Sequence, residues 1–436
     1  MSPNPDDYGV PLDFEEEPAG RKANGSNREE PQKASPAAEW PTIRPEAFHG
    51  LAGEFTQIVA PSTEADPVAL LMQLLVEFGN AAGHGPHSMI EDTRHAVNLF
   101  LVMVGATGEA RKGTSLDRVT KAMSAVDSEW SNSHIESGMT SGEGVAYAVR
   151  DSDGKEDQGV RDKRLMVVET EFASVLKVIQ REGNILSPMI RQAWDSGNLR
   201  TLNKKNPVRA SGAHLSIIAH ITPEELRRSL AETEMANGFG NRFLWACVKR
   251  SKYLPEGGNC DLMSFRSFMS SLGKSLVFAK KVGQMKRNPE ARELWAHVYP
   301  ALTTLPSGLL GALTSRSAPI VQRLSCLYAL LDSSAEVRTE HLKAALAVWA
   351  YAASSVRYVF GDALGDRVAD QLLEALANAG SAGLTRTEIR DLFGRNLSTA
   401  RISLALEYLL RLGRIVRVTE STSGRPVESW FLKGVE

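Results

Sequence analysis

The chain contains 436 residues, which is long enough for two or three domains with well-buried cores. Hydrophobic residues make up 42% and charged residues 23%, so the chain as a whole is neither disordered nor fibrous. The net charge of -2 conceals an acidic N-terminal segment: residues 1–40 contain nine acidic and four basic residues, whereas the remainder carries a balance of +3. Because that balance is small, any contact with nucleic acid requires local basic patches.

Cysteine content and hydropathy exclude the exported and membrane-spanning classes of protein. The three cysteines, Cys247, Cys260 and Cys326, form no C-x-x-C pair, so neither a disulfide framework nor a thiolate zinc site is indicated. The longest apolar stretch, residues 344–353, is far shorter than the ~20 residues that cross a bilayer, and the acidic N-terminus lacks the basic start of a signal peptide. We therefore expect a cytoplasmic protein with no membrane partner.

The N-terminal region is predicted to pass from disorder to helix. Residues 1–40 are rich in Pro, Glu, Asn, Ser and Gly, so this acidic tail cannot bury enough apolar surface to offset the entropy of ordering. Residues 41–92 form a predicted N-terminal helical segment. Its clearest helix starts near a polar cap at Ser62, carries Pro67 in its first turn, and is predicted to end at Gly79.

The central region, residues 93–285, has the pattern of an α/β domain. Short apolar runs alternate with helical stretches, which favours buried and mainly parallel strands. The predicted core strands are residues 97–104, 165–168, 215–219 and 243–248. Residues 286–361 are predicted to be helical, and we interpret them as a helical lid on the α/β core. One apolar stripe of this lid is formed by Leu342, Leu346, Trp349, Ala353 and Val356.

The C-terminal region, residues 362–436, is predicted to be a winged helix-turn-helix domain. Three helices precede a hairpin whose turn contains Ser-Gly-Arg-Pro. From Arg390 to Arg425 seven arginines accompany three acidic residues, and Arg401 near the third helix is a candidate DNA contact. Such modules also mediate protein contacts, which is the alternative interpretation.

The strongest motif is a glycine-rich segment between the first predicted strand and a helix, Gly105-Ala-Thr-Gly-Glu-Ala-Arg-Lys-Gly-Thr-Ser115. Phosphate binding requires glycines that let backbone N–H groups converge, a lysine, a hydroxyl for Mg²⁺ and a helix N-terminus. The residues that supply these groups are Gly105, Gly108, Lys112, Gly113, Thr114 and Ser115. The spacing departs from G-x-x-x-x-G-K-[ST], so either Thr114 or Ser115 is the candidate magnesium ligand. The alternative is a glycine-rich turn in which one of these hydroxyls caps the helix.

Polar residues at the ends of the next two strands are candidates for ATP hydrolysis. Glu169 and Glu171 follow an apolar run, as do the carboxylates by which P-loop enzymes hold Mg²⁺ and polarise water. Strand alternation would point both carboxylates the same way, and Glu169 is also a candidate magnesium ligand. His220 and Thr222 end the third strand, where a polar sensor of the γ-phosphate is expected. Alternatively, Glu169 and Glu171 are solvated acids at an ordinary strand end, and His220 is a structural histidine whose hydrogen bonds are satisfied.

Besides the glycine-rich segment, one arginine and one basic stretch of the chain are candidates for binding phosphate groups. Arg242 starts the fourth strand and could reach the γ-phosphate of a neighbour in a ring of subunits; alternatively, it is a surface residue paired with Glu232 or Glu234. The basic stretch has no acidic residues, which predicts a hairpin with a basic tip. Such a hairpin either grips the phosphodiester backbone without reading sequence or is a solvated basic loop. The basic residues of this stretch are Arg200, Lys204, Lys205 and Arg209.

Together these segments resemble a helicase-like family found on plasmids, prophages and other integrated elements, whose members often form the C-terminal half of bifunctional primase-polymerase proteins. The resemblance covers about residues 41–360. Lys112 with Thr114 or Ser115 matches the family's nucleotide loop, Glu169 and Glu171 its acidic strand end, and Arg242 its late arginine. The other matching blocks are Glu64-Ala-Asp-Pro67, Thr140-Ser-Gly-Glu-Gly144, Ile218-Ala-His-Ile-Thr-Pro-Glu224 and Gly238-Phe-Gly-Asn-Arg-Phe243.

The resemblance implies a RecA-like or AAA+-like P-loop ATPase that uses ATP and Mg²⁺ in the replication of a mobile element. By analogy it also implies a homo-oligomeric ring, such as a hexamer, on single-stranded or forked DNA. Only about 40 residues precede the core, so priming is expected from a separate primase. The Lys-Gly-Thr-Ser order leaves open a degenerate loop, which would make the protein a DNA-binding initiator or regulator. A nucleotide-dependent protein remodeller without a DNA role is the third alternative.

Overall fold

The computed structural model describes residues 39–154, 157–202, 207–230, 232–306, 308–361, 364, 366–420 and 427–433. The predicted disorder of the acidic tail therefore lies outside the described residues, except at Glu39 and Trp40. The chain divides into two compact units, one formed by residues 1–306 and 311–361 and the other by residues 307–310 and 362–436. Within the described residues, no helix is both long enough and apolar enough to span a bilayer.

The elements up to residue 360 alternate between helices and short strands. The helices are α1 (Gly50–Val59), α2 (Pro67–Ala82), α3 (Lys112–Val126), α4 (Ser128–Ser133), α5 (Gly142–Ala148), α6 (Phe172–Ile179), α7 (Leu186–Asp195), α8 (Pro223–Ser229), α9 (Glu232–Ala236), α10 (Leu262–Ala279), α11 (Pro289–Thr303), α12 (Gly308–Thr314), α13 (Ser317–Leu331) and α14 (Thr339–Phe360). The strands are β1 (His87–Ile90), β2 (Thr93–Ala96), β3 (Phe100–Val104), β4 (Ile135–Glu136), β5 (Arg164–Glu169), β6 (Leu199–Arg200), β7 (Arg209–Ala210), β8 (His214–Ile221), β9 (Phe243–Cys247), β10 (Gln284–Arg287) and β11 (Glu336–Val337).

A five-stranded sheet forms the centre of the first unit, with the strand order β4-β5-β8-β3-β9. All four pairings are parallel, and the strands β3, β8 and β9 are buried along their whole length, as expected of apolar strands covered by helices on both faces. The four predicted core strands and their parallel arrangement are confirmed. The two-residue strand β4 was not predicted, because two residues carry no periodic signal.

The path of the chain through this sheet marks one end of it as the place for a ligand. The connection that leaves β3 runs toward β4 at one edge, whereas the connection that leaves β8 runs in the opposite direction, toward β9 at the other edge. In open α/β sheets, ligands bind beyond the carboxyl ends of the strands at the point where the connections diverge. The crevice between the carboxyl ends of β3 and β8 is this point.

Helix α2 starts and ends at different residues from those predicted. Its N-cap is Asp66, whose carboxylate accepts the Val68 N–H at 3.0 Å, so Ser62 is not the cap. Gly79 lies inside the helix, where a Cβ would come within 2.5 Å of the Val97 carbonyl oxygen. This glycine permits close packing, and the helix ends instead before Gly83, which has φ +81°.

Residues 87–96 form a hairpin, whose residues 87–92 lie where a helical segment was expected. Strands β1 and β2 pair antiparallel, and they belong to a four-stranded sheet of order β11-β10-β1-β2. Each strand has only four residues, so its alternation is too short to predict. Helices α11, α13 and α14 of the predicted lid belong to the same compact unit as the central sheet. In α14, the Ser355 hydroxyl accepts the Cys247 N–H of β9 at 3.1 Å.

The second unit contains three helices and a three-stranded sheet. Its elements are α15 (Arg367–Ala379), β12 (Leu384–Thr385), α16 (Arg386–Leu392), α17 (Thr399–Arg411), β13 (Ile415–Glu420) and β14 (Val427–Leu432), and the strand order is β12-β14-β13. Leu372, Leu376, Ile389, Leu406 and Leu409 are fully buried in its core. The chain order is therefore three helices followed by a hairpin, with the short strand β12 added after the first helix.

Candidate functional site

The glycine-rich loop connects the carboxyl end of β3 to the first residue of α3. The Gly105 N–H donates to the Ile221 carbonyl at 3.1 Å, and a Cβ at Gly105 would lie 2.5 Å from the Val248 carbonyl oxygen, so only glycine fits between these two strand ends. At the other end of the loop, Arg111 adopts φ +52°. Its guanidinium donates to the Glu64 carboxylate at 2.6 Å, which holds this left-handed residue in place.

Lys112 begins α3 and turns its side chain back over the loop. Its ammonium group donates to the carbonyl oxygen of Gly105 and lies 3.5 Å from that of Ala106. Partial burial lowers the pKa of the Lys112 ammonium, and the Glu225 carboxylate opposes part of this shift. The lysine is thus positioned by backbone carbonyls and, within the described residues, has no direct ion pair, which suits a group that binds an anion.

The two hydroxyls at the start of α3 have different environments. Thr114 is exposed and faces the crevice. Ser115 is fully buried, and its hydroxyl donates to the Lys112 carbonyl at 2.8 Å inside the helix. The residue before the helix is Arg111, so neither hydroxyl is the N-cap and the capping alternative is wrong. Of the two candidate magnesium ligands, Thr114 is the one that a ligand in the crevice can reach.

The two carboxylates after β5 do not point the same way. Glu169 is the last residue of β5, is 9% exposed, and accepts the Met139 N–H at 2.6 Å. Glu171 has already left the strand; it precedes α6 with ψ 68° and is exposed toward the crevice. The expectation that alternation would align the pair is wrong, because the strand ends between them. Glu171 alone lines the crevice.

His220 in β8 and Thr222 just after β8 both line the crevice. His220 is 4% exposed, and its Nε2 atom has no hydrogen-bond partner among the described residues. Burial and the nearby Lys112 charge lower the pKa of His220 to about 4, so the ring is neutral at pH 7. The Thr222 hydroxyl caps α8 by accepting the Glu225 N–H at 3.2 Å. His220 therefore has no partner at Nε2 among the described residues, whereas Thr222 is a structural cap.

These residues surround one cavity of about 620 Å³ at the carboxyl ends of the strands. The predicted site residues in its lining are Gly108, Lys112, Gly113, Thr114, Glu171, His220 and Thr222. Gly105, Ser115, Glu169 and Arg242 are not part of the lining. Sequence reasoning missed Lys177, which carries no motif, and Glu225, which the Thr-x-x-Glu spacing of a capping box would have indicated.

Arg242 lies away from this cavity, at the amino end of β9, and is 5% exposed. Its guanidinium donates to the Asp195 carboxylate at 2.6 Å and to the Gly238 carbonyl. The expectation of an exposed arginine paired with Glu232 or Glu234 is wrong, because α7 brings Asp195 to it from 47 residues earlier. A direct contact between Arg242 and a neighbouring subunit requires this ion pair to open.

The basic stretch forms a hairpin, as predicted. Strands β6 and β7 pair antiparallel with Arg200 directly opposite Arg209, and both arginines are exposed. Two like charges opposite each other are destabilising unless an anion lies nearby. Lys204 and Lys205, at the predicted tip, lie outside the described residues. The described part of the hairpin therefore presents two adjacent cations to solvent.

Arg401 in the second unit is held by an ion pair. Its guanidinium donates to the Asp366 carboxylate at 2.7 Å, and Asp366 is the N-cap of α15. Arg390 in α16 and Arg414 just before β13, by contrast, are exposed. A contact from Arg401 to DNA would compete with its structural role.

One group of described side chains has the composition of a metal site. His49, Asp332 and His341 bring their ligating atoms together, with the Asp332 carboxylate 2.8 and 3.2 Å from the two imidazoles. The Nδ1 atom of His341, however, accepts the Arg338 N–H at 3.0 Å. Its Nε2 atom must then carry the proton and donate to Asp332, which leaves no lone pair there for a metal. The group is a hydrogen-bonded link between the N-cap of α1, the C-cap of α13 and the first turn of α14.

Comparison with known proteins adds no family assignment. The chain matches no protein-family model, and no curated protein is similar to it at a significant level. The resemblance to helicase-like proteins of mobile elements stays a prediction, and the functional argument depends on the geometry of the site.

Proposed function

We propose that the protein is an ATP-dependent, helicase-like DNA motor that acts in the replication of a plasmid or phage element. The observation that carries this proposal is the convergence of Lys112, Thr114, Glu171 and His220 on one cavity at the carboxyl ends of parallel strands. A lysine at a helix N-terminus, a free hydroxyl, an exposed carboxylate and an unpartnered imidazole are the groups that bind and hydrolyse a nucleoside triphosphate.

These four residues of the cavity then have distinct roles toward ATP and Mg²⁺. The N–H groups of the loop and the Lys112 ammonium bind the β- and γ-phosphates, for which Lys112 exchanges its bonds to carbonyl oxygens. Thr114 offers the hydroxyl for Mg²⁺, which would neutralise charge on the phosphates. Glu171 orients and polarises the attacking water. The neutral His220 has an unpartnered Nε2 atom and acts as the sensor of the γ-phosphate.

The parallel sheet supports a RecA-like or AAA+-like core, in which α11 to α14 form the helical lid. The helix-strand-helix-helix-hairpin order of the second unit supports a winged helix, with α17 as the helix that would enter a DNA groove. The opposed pair Arg200 and Arg209 supports a hairpin that contacts the phosphodiester backbone. Assembly into a ring, such as a hexamer, would bring several of these hairpins onto one strand of DNA.

The experiment that tests this proposal is ATP turnover by the full chain with and without single-stranded DNA. We expect Mg²⁺-dependent turnover that DNA stimulates. Turnover that DNA leaves unchanged would favour a nucleotide-dependent remodeller, and an absence of both turnover and ATP binding would refute the nucleotide site.

The second candidate function is a DNA-binding initiator or regulator that binds ATP without hydrolysing it. It is favoured by Glu169, whose carboxylate accepts the Met139 N–H and lies outside the cavity lining, so that a carboxylate for the metal would have to come from Glu171 or Glu225. Tight ATP binding without turnover, together with DNA affinity that depends on the second unit, would select this candidate.

A further inference from the structure

Three large apolar side chains are exposed together in the loop after β9 and at the start of α10. Tyr253 is 76%, Leu262 is 67% and Met263 is 75% exposed. Apart from Leu202, they are the most exposed large hydrophobic side chains of the described residues. Single exposed hydrophobic residues are ordinary on protein surfaces, whereas a group of them marks an interaction site. We call these three side chains the apolar patch.

The loop that carries the apolar patch is fixed along the end of α1. Near one end of the loop, the Leu254 N–H donates to the Glu64 carboxylate at 2.8 Å. Near the other end, the Cys260 thiol donates to the Ile58 carbonyl at 3.7 Å. The two ends of the loop are therefore separated only by the short span of residues 58–64, so the three exposed side chains border one continuous surface.

Basic side chains border the apolar patch. Residues 249–266 contain four basic and two acidic residues. The four basic residues are Lys249, Arg250, Lys252 and Arg266. The Arg250 guanidinium lies 4.8 Å from the centre of the Tyr253 ring, and its Nε atom donates to the Glu109 carbonyl of the glycine-rich loop at 3.4 Å. The patch therefore has a rim of net positive charge and lies next to the glycine-rich loop.

The chain itself contains a segment of complementary chemistry, in the acidic tail that lies outside the described residues. Residues 6–17, Asp-Asp-Tyr-Gly-Val-Pro-Leu-Asp-Phe-Glu-Glu-Glu, include six acidic residues and no basic one. Val10, Leu12 and Phe14 stand at every second position, so in an extended conformation their side chains would point to one side. A segment that is too polar to bury apolar surface by itself can do so against a preformed surface of opposite charge.

The acidic tail joins the described chain beside the basic rim. The Trp40 ring packs against Tyr358 with the ring centres 5.0 Å apart, and the Lys249 ammonium lies 4.7 Å from the centre of the Trp40 ring. Lys249 precedes Tyr253 by four residues, which is at most about 14 Å of extended chain. The 22 residues 18–39 connect the acidic segment to Trp40, and a flexible chain of that length spans roughly 25 Å on average. The segment can therefore reach the patch of its own chain.

We propose that residues 8–17 dock on the apolar patch of their own chain, with Leu12 and Phe14 against the patch and the acidic side chains of residues 13–17 against the basic rim. This inference goes beyond the proposed function and does not depend on it. The docked segment covers the surface beside Glu109 and so restrains one side of the glycine-rich loop. The tail of a second copy is the other occupant of matching chemistry, and the second test below separates the two.

The first test is amide hydrogen exchange of the full chain, measured at residues 8–17. With an effective concentration of about 1 mM and a dissociation constant of about 0.1 mM, docking slows exchange roughly tenfold. Phe14→Ala and Tyr253→Ala should each reduce this slowing to about twofold, because a tenfold loss of affinity leaves about half of the segments docked. Tyr299→Ala removes an exposed tyrosine from α11 and should leave the slowing unchanged. Equal exchange rates in the wild type and in Phe14→Ala would overturn the inference.

The second test locates the contact by zero-length cross-linking of carboxylates to lysines in an equal mixture of unlabelled and ¹⁵N-labelled full chains. We expect links from residues 13–17 to Lys249 or Lys252 within one isotope. These links should be lost at about 0.5 M salt, where the Debye length falls to about 4 Å. Links that lead mainly to other lysines would overturn the docking site. Links that join the two isotopes as often as they join one would overturn docking within the chain and assign the patch to the tail of a second copy.

Discussion

Replacing Lys112 by alanine should reduce ATP turnover by two to three orders of magnitude while the fold is retained. A lysine charge about 4 Å from a phosphate charge interacts by about 4 kcal/mol at an effective dielectric constant of about 20. If most of this attraction develops as charge accumulates on the γ-phosphate, its loss corresponds to roughly 100- to 1,000-fold in rate. Stability should change by less than about 2 kcal/mol, because the side chain bonds only to loop carbonyls.

The assay is steady-state release of phosphate at saturating ATP, with thermal unfolding as the measure of fold integrity. Lys121→Ala is the matched control, since Lys121 is an exposed lysine on the same helix and its removal changes the net charge equally. We expect the control to keep at least half of wild-type turnover. A folded Lys112→Ala protein with turnover within threefold of wild type would refute the assignment of the loop.

Other perturbations test separate parts of the argument. Glu171→Gln should retain ATP binding and lose turnover, whereas Glu169→Gln should only weaken the Mg²⁺ dependence; a magnesium titration of both variants would show the reverse order if the roles are exchanged. Glu77 of α2 is buried and bonded to Thr120, and burial raises its pKa to about 8, so folding stability should fall between pH 4.5 and 8 as the unfolded state ionises first. Glu77→Gln should flatten that decline in melting temperature, and an unchanged slope would contradict it. Replacing Lys204 and Lys205 by alanine should weaken DNA affinity for all sequences and lower the salt slope by about one unit per lost contact, and parallel salt titrations of equal affinity would remove the hairpin from the DNA path.

The strands of the central sheet could be predicted because burial on both faces leaves uninterrupted apolar runs. The runs at β3, β5, β8 and β9 stand out for this reason, and the polar residues at their carboxyl ends could be assigned to one edge. Short elements could not be predicted: β4 has two residues, and each strand of the β1–β2 hairpin has four residues. Their pairing is decided by neighbours that the local sequence does not show.

The direction of individual side chains was the part that sequence could not supply. Alternation predicts a shared face for Glu169 and Glu171 only if the strand continues, and here it ends after Glu169. The burial of Arg242 likewise depends on Asp195, which α7 delivers from a distant point of the chain. Sequence spacing also could not show that Thr114 is exposed and Ser115 is buried, because both residues lie in the first turn of α3.

The left-handed residue at the end of the glycine-rich loop links two positions that are far apart in the sequence. In the pattern G-x-x-x-x-G-K-[ST] a glycine precedes the lysine, but here that place is taken by Arg111 with φ +52°, a conformation that costs an ordinary residue about 1 kcal/mol. The ion pair with Glu64 offsets this cost. Glycine at position 111 would remove one of the roles of Glu64, which also accepts the Leu254 N–H at 2.8 Å and lies 3.8 Å from Arg250. Loss of Glu64 alone would leave a strained arginine at the start of α3. During evolution a change at position 64 is therefore expected to accompany glycine at position 111, whereas glycine at 111 alone leaves the contacts of Glu64 with Leu254 and Arg250 in place.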